Sequence, residues 1–190
     1  MLYVFALAAT TWNDAVSPTA AQEQSATMAL EEVVAINEER GDDWGVAMAS
    51  HLLASLALNA GDRRKAARCA RIVLDHALEM GDPTLLSPAL NRTARLVVDS
   101  NPYAAVRLVE CGQHLLEGTG FRWIPGEHGD RDKVLADAQR RLGDRRFDEA
   151  RIAGALLPLM NAIGEARAVL DSVGPSVSST HRPPVRRLDV

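Results

Sequence analysis

Apolar residues recur at helical spacing along most of the chain. Over residues 63–80 they follow i, i+4, i+7 and i+11, which is one face of an α-helix. That face consists of Ala66, Ala70, Val73 and Ala77. A second face, over residues 43–59, consists of Ala49, Leu52, Leu53, Leu56 and Ala57. No segment shows the pattern of a strand, so the sequence predicts an all-α fold.

Gly-Asp pairs divide these helical segments at an even spacing of 20 residues: Gly41-Asp42, Gly61-Asp62 and Gly81-Asp82. Glycine takes the left-handed conformation that ends one helix, and aspartate caps the next helix with its carboxylate. Two helices in every forty residues, joined by short turns, are typical of a helix-hairpin solenoid. The predicted helices cover residues 2–12, 19–40, 43–59, 63–80, 83–100, 102–118, 130–142, 145–153 and 158–173. A loop is predicted over 119–129, and Pro88 predicts a kink or a late start in its helix.

Small residues occur where neighbouring helices must approach closely. Ala54 and Ala66, twelve residues apart, reproduce the two small positions of a tetratricopeptide repeat, and Leu53 fills the large position before them. The aromatic positions of that repeat are not kept. We therefore expect a tetratricopeptide-like helix-hairpin solenoid over residues 1–118, a divergent C-terminal helical cap over 119–173 and a disordered tail over 174–190.

Charge is unevenly distributed over two of the predicted helices. The helix over 19–40 and its exit are acidic, whereas the helix over 63–80 opens with Arg63, Arg64 and Lys65, followed by Arg68 and Arg71. In a solenoid these two helices are both second helices of their hairpins. We expect the acidic helix to offset the basic one across their shared boundary, with about 0–1 kcal/mol for each exposed pair.

Composition narrows the class of protein. The 190 residues are 47% hydrophobic and 24% charged, and the formal net charge is -4, so no global basic field favours nucleic acid. No apolar run reaches the roughly 20 residues of a membrane span; Leu2 to Ala9 is interpreted as part of a core helix.

Cys69 and Cys111 are expected to be buried thiols of a cytoplasmic protein. The exposed apolar face of Leu2, Val4, Phe5 and Leu7 would favour self-association or upstream repeats.

Residues for catalysis or metal binding are not grouped in the sequence. None of the five histidines pairs with another ligand at the spacing typical of a metal site. We therefore predict no metal, no cofactor and no enzyme activity. The Gly-rich loop over 119–129, which includes Glu127 and His128, is the place where an alternative function in ligand binding or catalysis would lie.

A binding surface is expected on the concave side, which the first helices of the hairpins line in such solenoids. With Ala54 and Ala94 buried, five polar residues should project into that groove: His51, Ser55, Asn59, Asn91 and Arg95. They would suit a peptide or a small effector, and they would equally suit plain exposure to solvent.

The C-terminal third contains the segments that carry a family resemblance. They are Val106-Arg107-Leu108-Val109, Gly112-Gln113, Thr119-Gly120-Phe121, Pro125, Glu127, Leu142-Gly143, Phe147, Gly154, Leu157, Leu159, Ala162 and Ala166. This pattern resembles the closing segment of large bacterial signal-transduction ATPases that regulate transcription and often carry a LuxR-type or cyclase-like module. Arg151 and Pro158 depart from the family, which usually has a large aromatic residue and a capping serine there. The phosphate-binding loop is absent, because no Gly-Lys pair occurs.

The resemblance implies a detached sensor or scaffold arm. We expect a non-catalytic regulatory or protein-interaction domain whose partner is a protein or peptide, such as an ATPase module or upstream repeats. No direct contact with nucleic acid or membrane is expected. A truncated gene remnant without independent function is a further alternative.

Overall fold

The computed structural model describes residues 19–117, 119–120 and 125–173, without the side chains of 125–128. These residues form eight α-helices and no strand. The helices are α1 (Ala20–Arg40), α2 (Asp43–Asn59), α3 (Arg63–Met80), α4 (Pro83–Val97), α5 (Pro102–Leu116), α6 (Pro125–Leu142), α7 (Asp144–Ala155) and α8 (Leu159–Val173). The helix predicted over 2–12, with its apolar face, and the predicted tail over 174–190 lie outside the described residues.

The Gly-Asp turns have the predicted geometry. Gly41 and Gly81 end their helices in the left-handed conformation, with φ of 66° and 64°. The Asp42 carboxylate accepts the backbone N–H of Gly45 at 2.9 Å, and the Asp62 carboxylate accepts that of Lys65 at 2.9 Å. Each pair therefore ends one helix and begins the next, which confirms the boundaries predicted for α2 and α3.

One predicted boundary is clearly wrong. The sequence predicts a loop over residues 125–129, but α6 begins at Pro125, where proline's fixed φ suits the first turn of a helix. The predicted loop over 119–129 is therefore shorter than expected. Helix α4 begins at Pro83, as predicted, and contains Pro88 in its interior, so the alternative of a late start does not occur.

Alanine and glycine allow the helices to pack closely. Ala54, Ala66 and Ala94 are fully buried, as predicted. At Gly154, where α7 contacts α5, an added Cβ would lie 2.8 Å from the backbone of Arg107. That distance leaves no room for a side chain at this crossing.

The last helix folds back over the middle of the array. Helix α8 contacts α3, α4 and α5. Its Asp171 pairs with Arg71 of α3, and its Glu165 lies 2.9 Å from Arg107 of α5. The apolar side of α8 buries Ala162, Ile163, Ala166 and Leu170. Helix α8 therefore fills the groove between α3 and α5 and joins the C-terminal helices to the central ones.

Candidate binding groove

The five residues predicted to bind a partner separate into two groups. His51 and Ser55 are each 2% exposed and Asn91 is 3% exposed, so these three side chains lie in the interior. The expectation that they project into an open groove does not match this burial. Ser55 donates a hydrogen bond to the His51 carbonyl at 3.3 Å, one helical turn away. Asn59 is exposed and Arg95 is partly exposed. The binding role of the five residues stays a prediction.

The structure brings Asn59 and Arg95 together with a residue that sequence analysis did not select. The Arg95 guanidinium donates to the Asn59 side-chain oxygen at 3.0 Å and to the Asp130 carboxylate at 3.2 Å. Arg92, with a side chain only 3% exposed, donates to Asp130 at 3.1 Å. Asp130 thus connects α6 to α4, and Asn59 extends the cluster to α2. These polar groups already hydrogen-bond to one another, so the cluster forms a contact between helices.

A groove of about 940 Å³ lies on another face of the molecule. Helices α1 and α8 form its two sides, α3 runs along it, and Ser50 and Leu53 of α2 lie at its base. The residues that line it are Glu31, Val34, Ser50, Leu53, Lys65, Ala67, Arg68, Cys69, Arg71, Ile72, Asp75, Leu78, Glu79, Arg167, Leu170 and Asp171. Its apolar base between charged sides matches the general form of a binding site.

The charges around the groove are mostly paired across helices. Lys65 of α3 lies 2.6 Å from Glu31 of α1, and Arg167 of α8 lies 2.7 Å from Asp75 of α3. The first pair is the contact expected between the acidic and basic helices. Arg71, also expected to face α1, instead pairs with Asp171 of α8. The basic helix therefore forms ion pairs on both sides, through Lys65 and Arg71.

Of the charged α3 residues that line the groove, two have no ion pair within the described part of the chain: Arg68 and Glu79. Both are exposed and both line the groove. At the base, the Ser50 hydroxyl belongs to a residue that is 1% exposed, and no described atom hydrogen-bonds to it. A buried hydroxyl without a partner costs free energy unless another group satisfies it. The groove therefore offers an unpaired cation, Arg68, to a ligand, while the unsatisfied Ser50 hydroxyl lies buried beneath its surface.

Cys69 is the one thiol that lines the groove. Burial raises the pKa of this thiol from 9.0 to about 11, although the nearby charges of Lys65 and Arg68 act in the opposite direction. The thiol is therefore protonated at neutral pH, and a protonated thiol is a poor nucleophile. Cys111, elsewhere in the core, also has a pKa raised by burial. These pKa values favour a packing role for both cysteines, as the sequence predicted.

Sequence reasoning found the basic residues of α3 but not the groove. Unopposed cations in the first turn of a helix are a local signal, and they indicated a charged partner for α3. The groove depends on α8, whose Asp171 is far from Arg71 in sequence. No periodicity in the sequence places those two residues side by side.

Among the described residues, no group of three or more histidine, cysteine, aspartate or glutamate side chains is arranged to hold a metal ion. The predicted candidates Glu127 and His128 have side chains outside the described set.

In the described part of the chain, no single helix is long and apolar enough to cross a membrane. Helices α7 and α8 meet that criterion only as a pair, and they are bent by 118° between them.

The described structure places the chain in the all-helical class. No protein-family model, curated protein or solved structure matches the chain significantly. The groove and its residues are therefore the features that indicate a function.

Proposed function

We propose that the chain is a non-catalytic, tetratricopeptide-like interaction domain that binds a protein segment in the groove along α3. The single observation that supports this function is the open groove between α1 and α8, with unpaired Arg68 on its surface. Helical hairpins stacked in series use extended surfaces of this kind to bind other chains.

The resemblance of the C-terminal segments to signal-transduction ATPases suggests the setting of this interaction. In that setting the chain acts as a cytoplasmic sensor or scaffold arm, and its partner is an ATPase module or further helical repeats. The protonated state of Cys69 and the internal pairing around Asp130 favour binding over chemistry at both sites.

Site-specific photo-crosslinking in cells tests this function. A photoreactive amino acid replaces Arg68 inside the groove or, as a matched control, Arg145, whose side chain is 92% exposed on α7 and outside the groove. We expect a discrete crosslinked protein at position 68 only. The purified partner should then bind the wild-type chain, and Arg68→Glu should weaken that binding. Equal crosslinking at both positions, or none at position 68, would contradict the proposed function.

A further inference from the structure

Helix α8 shows, within this chain, the kind of element that a groove between neighbouring helices binds. Helix α8 lies against α3, α4 and α5, so it occupies the groove between two second helices of consecutive hairpins. The groove between α1 and α3, with α2 at its base, is the corresponding one a repeat earlier. That earlier groove contains no helix of the described chain, and it is part of the open space along α3.

Helix caps give the correspondence between the two grooves. Arg68 in α3 and Arg107 in α5 each lie six residues after the N-cap of their helix, at Asp62 and Asn101. Arg107 pairs with Glu165 of α8 at 2.9 Å, whereas Arg68 has no ion pair within the described residues. Arg68 is thus the cation that would face an acidic residue on a helix placed in the earlier groove.

Helix α1, the other wall of the earlier groove, carries a negative charge where the corresponding wall of the α8 groove carries a positive one. Glu31 in α1 and Arg71 in α3 each lie ten residues before the glycine that ends their helix, at Gly41 and Gly81. Arg71 pairs with Asp171 of α8. The earlier groove has Glu31 at that position, and Glu31 pairs with Lys65 of α3 at 2.6 Å. A helix bound there should therefore carry a basic residue where α8 carries Asp171, and that residue would take the place of Lys65 at Glu31.

We infer that the groove between α1 and α3 binds an amphipathic α-helix of a partner protein, in the manner in which α8 binds between α3 and α5. The helix carries an acidic residue opposite Arg68 and, six positions towards its C-terminus, a basic residue opposite Glu31. Its apolar side covers Val34, Leu53 and Ile72. This inference rests on the proposed function and specifies the chemistry of the partner.

A peptide derived from α8 provides the probe. The peptide spans residues 157–173, and a second version carries Asp171→Lys to match Glu31. We expect the Asp171→Lys peptide to bind the full chain about tenfold more tightly than the native peptide, because the native carboxylate faces Glu31; tenfold corresponds to about 1.4 kcal/mol. Titration by fluorescence anisotropy measures both affinities.

Reversing single charges on the protein tests which residue of the bound helix faces Arg68 and which faces Glu31. Arg68→Glu should weaken the Asp171→Lys peptide by about tenfold, and adding Glu165→Lys to that peptide should restore its affinity. Glu31→Lys should reverse the preference and favour the native peptide. Arg64→Glu and Glu39→Lys are the matched controls, because both residues are exposed on the same two helices and neither lines the groove. Circular dichroism confirms that each variant is folded.

The result that overturns the inference is an affinity for both peptides that does not change with Arg68→Glu or Glu31→Lys. Binding that is equally weakened by the two control substitutions has the same consequence, since it indicates general electrostatic attraction. If the crosslinked partner at position 68 is bound while the charge exchanges have no effect, the helix inference fails and the proposed function stands. If position 68 captures no partner, the proposed function itself fails.

Discussion

Replacing glycine by alanine at two positions should change stability in opposite directions. Gly154 and Gly164 both lie within helices, α7 and α8. In each case alanine lowers the conformational entropy of the unfolded chain and favours the helix by roughly 0.5–1 kcal/mol. At Gly164 the added Cβ has no heavy atom within 4 Å, so Gly164→Ala should raise the free energy of unfolding by about that amount.

At Gly154 the same methyl group meets three fixed neighbours. The Cα and carbonyl oxygen of Arg107 and the Cβ of Glu110 would each lie 2.8 Å from it. Two of these atoms are backbone atoms of α5 and the third is a Cβ, so none of them can rotate away and α7 must move. Such overpacking typically costs about 1–3 kcal/mol. After the gain in helix propensity is subtracted, we expect Gly154→Ala to lower the free energy of unfolding by about 0.5–2 kcal/mol.

Urea denaturation followed by circular dichroism at 222 nm measures both variants against the wild type. The reasoning is refuted if Gly154→Ala is as stable as Gly164→Ala, because α5 and α7 would then not approach as closely as the structure places them. An unchanged slope of free energy against urea shows that the compared states are the same.

Three further predictions concern a helix cap, a buried ion pair and a thiol. Asp62→Ala removes the side-chain cap of α3 and should cost about 1 kcal/mol in urea denaturation; no loss would contradict the capping role. Asp130→Asn should cost about 2–3 kcal/mol because it leaves the charge of buried Arg92 without this carboxylate, whereas exposed Asp132→Asn should cost under about 0.5 kcal/mol. Since the Cys69 pKa is about 11 in the folded chain and 9.0 is its ordinary value, the unfolded thiol ionises first as pH rises. Wild type should therefore lose stability between pH 9 and 11 relative to Cys69→Ala, and parallel pH profiles would exclude that effect.

The turns between α1 and α4 were predictable because their signals are local. A glycine that ends a helix and an aspartate that caps the next act within four residues of the turn, whatever the rest of the chain does. The structure accordingly begins α2 at Asp43 and ends α3 at Met80, as the sequence predicted. The apolar periodicity likewise identified the buried faces of these helices, because each face packs on its nearest neighbour.

The second half was less predictable because its features depend on distant contacts. Gly126 and Gly129 are poor helix formers and suggested a loop, but the helix includes them. Features of the first half that depend on distant contacts were missed as well. Burial of Asn91 and His51 depends on the packing of separate helices, so helical spacing placed them on one face without showing how deeply that face is covered. The return of α8 to α3 is a tertiary contact with no local signal.

The cations of α3 are understood only when their sequence positions are combined with the ion pairs in the structure. Sequence indicated that α3 carries more positive charge than a helix N-terminus favours. The structure shows which of these cations are paired and leaves Arg68 as the groove-lining cation that is not, within the described residues. Comparison with Arg107, at the same distance from its helix cap, then indicates the kind of charge that Arg68 is suited to meet.

The most direct test of helix binding between α1 and α3 maps the contact at residue resolution. The ¹⁵N-labelled chain is titrated with the Asp171→Lys peptide, and the amide chemical shifts are followed by NMR. We predict that the largest changes occur at Val34, Leu53, Arg68 and Ile72, with little change along α5. Changes centred on α5 would show that the peptide displaces α8 from its own groove, and that result would contradict helix binding between α1 and α3.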